Sequence, residues 1–176
     1  ATLALLRPVS EKPMTIFYTD DLCDAYPDDI RVAEPEFDAY GSIDTFACRV
    51  RTVRVLEHNV LVKEMLSGAG SGDVLVVDGG GSTRCALMGG DIAELAAKNG
   101  WSGVVIYGCV RDVHEINAAA IGVRALASCP RKSTKRGLGE KDVPLYFAGV
   151  DFTGDDYLYA DGDGLIVASR ELISRP

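Results

Sequence analysis

Between Gly89 and Glu115 the chain sets out two groups of residues able to act on a small anion: a Gly-Gly-Asp turn, Gly89-Gly90-Asp91, and an Arg-Asp-x-x-Glu cluster, Arg111, Asp112 and Glu115. Glycines at 89 and 90 allow a ligand to approach the backbone with no Cβ in the way. Where a helix opens at that turn, the unpaired amides of residues 89 to 92, the last belonging to Ile92, favour a carboxylate through the helix dipole. The same residues also support a plainer reading, in which Asp91 caps the helix and Glu94, three positions on, completes a capping box. Asp112 and Glu115 share that spacing and that double reading. Arg111 is harder to assign to structure alone. It follows an apolar run, where open α/β sheets place their ligands, and its guanidinium fork suits a carboxylate. Asp112 beside it is a hard oxygen ligand, so the pair is equipped to hold a chelated acid together with a divalent cation.

Other residues offer less. His58 and His114 are the only histidines, which leaves little room for a three-histidine metal site or a Ser-His-Asp relay, and His114 is expected on an outer helix face. Asp161-Gly162-Asp163-Gly164 has the look of a calcium loop, but Leu172 stands where that loop needs a bidentate Glu, so it reads as a turn. Asp78 to Gly81 resembles the Gly-rich turn of nucleotide or methyl-donor folds without the GxGxxG or Walker spacing. Arg131, Lys132, Lys135 and Arg136 form a basic patch, read as a solvated loop before a site for an anionic partner. The five cysteines are scattered and never spaced CxxC, which indicates neither zinc nor a disulfide framework and points to reduced thiols in a cytosol-like compartment.

The elements that must position these residues are those of one soluble domain. At 176 residues with 47% hydrophobic and 25% charged content, the chain is long enough to bury roughly two thirds of its unfolded surface. No apolar run approaches the ~20 residues of a membrane-spanning helix, and a net charge of -8 argues against direct nucleic-acid binding. Residues 1–13 are expected to be an N-terminal extension and residues 14–176 a single domain. Spacing predicts a helix from Thr19, a strand over Phe46 to Leu56, a helix over Asn59 to Leu66 and a buried strand over Val74 to Asp78. It then predicts a helix over Asp91 to Asn99, a second buried strand over Val104 to Tyr107 ending at Gly108, and a helix over Val113 to Ala120. Ile121 to Ala127 leads into the basic loop. Short strands follow at Val143 to Phe147, Tyr157 to Ala160 and Leu165 to Ala168, with a hairpin turn between the last two. Helices early and hairpins late predict an α/β layered domain with a mixed sheet.

The segments DLCDAYPDD, VLVVDGGGSTRCALMGGDIAELAAKNGWSGVVIYGCVRDVHE, IGVRALASCPRKSTKRGLGEKDVPLYFAGV and YLYADGDGLIVAS resemble the family of the regulator of ribonuclease E activity A and the 4-hydroxy-4-methyl-2-oxoglutarate aldolases. The likeness runs from about Thr19 to Ser169. It implies a three-layer β/β/α fold similar to swivelling phosphohistidine domains, built into ring-shaped homotrimers that in some members pair as hexamers. The family divides on a glycine followed, after twenty residues, by Arg-Asp and then an acid two residues further on. Gly90, Arg111, Asp112 and Glu115 fit, and the ribonuclease-regulating members lack the Asp that this chain keeps. The resemblance therefore implies a cytoplasmic, divalent-metal-dependent class II aldolase releasing pyruvate, with oxaloacetate decarboxylation through the same enolate. Its implied sites are the backbone of Gly89, Gly90, Asp91 and Ile92 for the pyruvyl carboxylate, Arg111 for the substrate, and Asp112 for Mg2+ or Mn2+, with Glu115 in an unassigned catalytic role. The alternative it carries is a non-catalytic protein that binds a ribonuclease. A methyltransferase, a label sometimes attached to the family, is disfavoured by the incomplete glycine spacing.

Overall fold

A computed structural model describes residues 16–135 and 137–173. The expected extension at 1–13 and Arg136 of the basic loop lie outside the described residues. In chain order the elements are α1 (Thr19–Ala25), β1 (Ile30–Val32), β2 (Asp38–Tyr40), β3 (Phe46–Arg54), α2 (Val60–Ser67), β4 (Val74–Asp78), β5 (Ala86–Met88), α3 (Gly90–Lys98), β6 (Gly103–Val110), α4 (Val113–Ala118) and β7 (Gly122–Ser128). There follow β8 (Glu140–Lys141), β9 (Leu145–Phe147), β10 (Val150–Phe152), β11 (Tyr157–Ala160) and β12 (Leu165–Ala168).

The centre of the molecule is a parallel run, β3-β4-β6-β7, with Val76 level with Thr52 on one side and Val105 on the other. Antiparallel strands extend it at both ends: β11, β12 and β1 beyond β3, and β2 beyond β7. The expected mixed sheet is therefore present. β4 and β6 are apolar along almost their whole length because both faces are covered. Their pleat divides the side chains by period two. Leu75, Val77, Val104 and Ile106 meet Val62, Leu66, Ala93, Ala96 and Ile116 of the helices, whereas Val74, Val76 and Val105 meet Phe147, Phe152, Leu158 and Val167 of the later strands.

Two differences from the sequence expectation matter for the site. β6 does not stop at Gly108; it continues to Val110 through an irregularity at which its register with β7 shifts between Ile106 and Cys109. The three-residue strand β5, too short to show a period, pairs parallel with the end of β6 and takes over the position β4 vacates after Asp78. Ile121 to Ala127, read only as a lead into a loop, contains most of β7. Its Arg124 is 4% exposed; the guanidinium donates to the carbonyls of Asp44 at 2.6 Å and Asp161 at 3.1 Å and lies over the Phe46 ring. A buried cation in the middle of the run is what hid the strand from a pattern search.

The hairpin at 161–164 is a turn, as expected, and its first residue also holds α1. Asp161 accepts hydrogen bonds from Thr19 N and Thr19 Oγ1, both at 2.7 Å, and from Asp163 N at 3.0 Å. The α1 N-terminus thus receives a carboxylate from far along the chain, while its own N-cap, Tyr18, supplies none. Burial alone raises the Asp161 pKa; the bonds from Thr19, Asp163 and Gly164 to its charged form outweigh that and hold it below the ordinary carboxylate value. A depressed folded pKa contributes stability that is present above the unfolded value and lost as pH falls through the folded one. Asp161→Asn is expected to lower stability at neutral pH by about 1 to 3 kcal/mol and to flatten the acid limb of stability against pH. Urea midpoints measured from neutral to acid pH check both.

Candidate active site

β5 and β6 end side by side, joined by Arg111 N donating to Met88 O at 3.0 Å. Past that bond the two chains part, one opening α3 and the other α4. Asp112 makes the second turn possible. Its backbone is left-handed, φ 55 and ψ 47, a region costly for most side chains but more accessible to Asp. That conformation sends its carboxylate across to the neighbouring helix, where Gly90 N donates to Asp112 Oδ2 at 3.2 Å. Asp112 is thus the N-cap residue of α4 by position yet makes no side-chain cap bond there; it satisfies a donor of α3 instead. The capping-box expectation is corrected on α3 as well, because the N-cap is Gly89 and Asp91 lies in the first turn without a side-chain cap bond.

The two glycines are required by crowding. A Cβ on Gly89 would lie 2.5 Å from Asp112 Oδ2, and one on Gly90 would lie 2.5 Å from Glu115 Cβ and closer still to its carboxylate. Two acidic side chains therefore lean on one helix N-terminus, whose dipole favours them. Arg111 Nε is 3.8 Å from Asp112 Oδ2, and the two side chains are 39% and 40% exposed. Glu115 is half exposed, and His114 is largely in solvent, as expected, 3.6 Å from Glu115.

All seven residues singled out in the sequence, Gly89, Gly90, Asp91, Ile92, Arg111, Asp112 and Glu115, come together at these two strand ends. Of the amides expected to receive a carboxylate, that of Gly90 is already committed to Asp112. Those of Asp91 and Ile92 have no protein acceptor among the described residues. A cleft of about 630 Å³ runs between α3 and α4 from Gly90 and Glu115 to Ala97, Lys98 and Ala119. Arg111 and Asp112 do not line it, so the cleft meets the cluster only at its Gly90–Glu115 end.

Among the described residues no three His, Cys, Asp or Glu side chains converge as a metal cage. What the cluster offers is one half-exposed carboxylate, Asp112, whose Oδ1 accepts no hydrogen bond from the described residues. That donor set suits a Mg2+-type ion, which takes one or two carboxylates and completes its shell with water and substrate oxygens. The Gly-rich turn after β4 offers nothing comparable. Gly79 N and Gly81 N donate to Tyr107 O, Gly80 N to Asp78 Oδ1 and Ser82 N to Gly79 O, leaving none of those amides for a cofactor.

The profile of the RraA-like family, described as Aldolase/RraA, matches residues 19–167. The chain is 54% identical over 159 residues, 90% of its length and 98% of the relative's, to a Pseudomonas fluorescens protein named provisionally as a 4-hydroxy-4-methyl-2-oxoglutarate aldolase. Among solved structures it is similar to the RNA-processing inhibitor RraA from Thermus thermophilis, with TM-score 0.87, 45% identity and coverage of 91% of this chain and 97% of that one. It is also similar to a Geobacillus kaustophilus structure named as an S-adenosylmethionine:2-dimethylmenaquinone methyltransferase, with TM-score 0.86, 47% identity and coverage of 89% and 97%.

The crowding at Gly89 gives a direct test of the geometry. Gly89→Ala is expected to push the Asp112 carboxylate off α3 while the sheet beneath is unchanged. A crystal structure of the variant should show Gly90 N and Asp112 Oδ2 separated beyond about 3.5 Å, the limit of a hydrogen bond.

Proposed function

The chain belongs to the RraA-like, Aldolase/RraA family, and we propose that it is a divalent-metal-dependent carbon–carbon lyase cleaving 4-hydroxy-4-methyl-2-oxoglutarate or related 4-hydroxy-2-oxo acids to pyruvate, with oxaloacetate decarboxylation as a side activity. The observation that carries this reading is the Asp112 carboxylate, seated on the first turn of α3 beside Arg111.

In this reading the amides of Asp91 and Ile92 and the guanidinium of Arg111 bind the 1-carboxylate of the substrate, whose charge matches the positive end of α3. Asp112, fixed by Gly90, would be the residue that holds Mg2+ or Mn2+. When bound, that ion supplies the Lewis acidity that offsets charge developing on the 2-oxo oxygen as the C3–C4 bond breaks. Glu115, packed against Gly90 but open to solvent on its other side, orients a water that takes the C4 hydroxyl proton and later returns one to C3. Arg111, 3.8 Å from the Asp112 carboxylate, keeps the bound acid in place. No lysine Schiff base is called for, since the charge is stabilised electrostatically.

The second reading is a non-catalytic protein that binds a ribonuclease, supported by similarity to the RNA-processing inhibitor RraA and by the net charge of -8. We place it second because the chain retains Asp112 in a strained, positioned conformation. The proposal extends to a cytoplasmic homotrimer, with pairing into hexamers open to assembly measurements, and to the β/β/α layering of swivelling phosphohistidine domains.

Asp112→Asn separates charge from shape. Asn tolerates the left-handed backbone and can still accept from Gly90 N, so the fold and melting temperature should persist. Metal-dependent pyruvate release should fall at least roughly a hundredfold. Undiminished release with an unchanged metal requirement would refute the assignment.

A further inference from the structure

α4 is six residues long, too short to keep its shape through its own hydrogen bonds, yet it must hold Glu115 against Gly90. One anchor is Ile116, fully buried in the core below. The other comes from the opposite side, where the segment leaving β2 lies along the end of the helix. Gly41 N donates to Asn117 Oδ1 at 3.0 Å, and Ser42 N and Oγ both donate to Ala119 O, at 3.1 and 2.8 Å. Ile43 N donates to Ile121 O at 3.4 Å. Gly41 lies at φ +86, and a Cβ there would sit 2.0 Å from Ile121 O, so only glycine lets this strap run so close. Its root is fixed by the antiparallel pairing of β2 with β7, in which Tyr40 lies level with Val123.

Residues two apart on a helix point to different sides. Glu115 thus faces α3 while Asn117 faces the strap, and α4 is gripped between them. We propose that Asn117 is a positioning residue: by accepting the Gly41 amide it sets the rotation of α4 at which the Glu115 carboxylate meets Gly90. Neither Asn117 nor the strap belongs to the Arg-Asp-x-x-Glu cluster. The effect on turnover rests on the lyase reading above, whereas the effect on the helix does not.

The test uses the full chain with Asn117→Ala and Asn117→Asp, the latter keeping an acceptor for Gly41 N. Asn117→Ala should speed hydrogen exchange at the α4 amides and lower kcat for pyruvate release roughly fivefold, the worth of one net hydrogen bond, with KM held. Asn117→Asp should restore both. In a Glu115→Ala background, Asn117→Ala should cause no further loss, because the residue acts through Glu115. Ser42→Ala, which removes one of the two donors to Ala119 O, should show the same pattern more weakly if Asn117→Ala folds poorly. Losses that multiply in the double variant, or that Asn117→Asp does not repair, overturn the proposal. If the wild-type chain releases no pyruvate, the lyase reading falls and the exchange measurement decides alone: α4 protection unaltered by both Asn117→Ala and Ser42→Ala would overturn the positioning role.

Discussion

A hydrogen bond from the first turn of α3 to the carboxylate of Asp112 ties together the ends of two parallel strands that would otherwise diverge. Parallel strands end at the same side of the sheet, so β5 and β6 deliver their following helices to one place. Each helix begins with unpaired amides and a partial positive charge. Crossing the Asp112 side chain to α3 occupies one of those amides and leaves the next two, and one carboxylate oxygen, without a partner among the described residues. The cost is a left-handed backbone at a residue with a side chain, together with two positions, Gly89 and Gly90, at which a Cβ cannot be accommodated. A purely structural cap would need none of this, since Asp112 could cap α4 in the ordinary way.

The buried centre of the fold was legible in the sequence. Val74 to Asp78 reads as a strand because both faces of a parallel sheet are covered and the run has nothing polar to interrupt it until its end. The helix after Gly89 reads as amphipathic because Ile92 and Ala96 recur on one side. β7 was not legible, since Arg124 sits in its middle and is paired by Asp44 and Asp161, residues 80 and 37 positions away. β5 was missed because three residues carry no period. Gly108 was misread as a stop, since a glycine at a register shift and a glycine at a strand end look alike in sequence.

For the candidate cluster, its place in the fold was legible and the direction of its side chains was not. Arg111, Asp112 and Glu115 stood out by type and spacing, and the strand-end argument located them correctly. Capping-box spacing left open a plainer reading in which Asp112 and Asp91 cap their own helices; the structure instead turns Asp112 to α3 and gives α3 a glycine N-cap at 89. No local pattern foretells an acid capping a helix 22 residues away. The strap from Gly41 to Ile43 was equally invisible, because its partners are carbonyls and an exposed amide side chain on α4, brought close only by β2 pairing with β7.

In the proposed reading, the amides of Asp91 and Ile92 serve as an anion seat next to a single hard ligand, Asp112, with Arg111 alongside and the Glu115 carboxylate open to water. These are the requirements of cleavage through an enolate, in which charge on one oxygen must be stabilised and one proton moved. The most direct measurement is pyruvate release by the wild-type chain from 4-hydroxy-4-methyl-2-oxoglutarate and from oxaloacetate, followed in a coupled assay with Mg2+ or Mn2+ and again with excess chelator. A metal-dependent lyase should release pyruvate from both substrates, with chelator abolishing the release and added metal restoring it. Absence of release from either, or release indifferent to chelator, would contradict it.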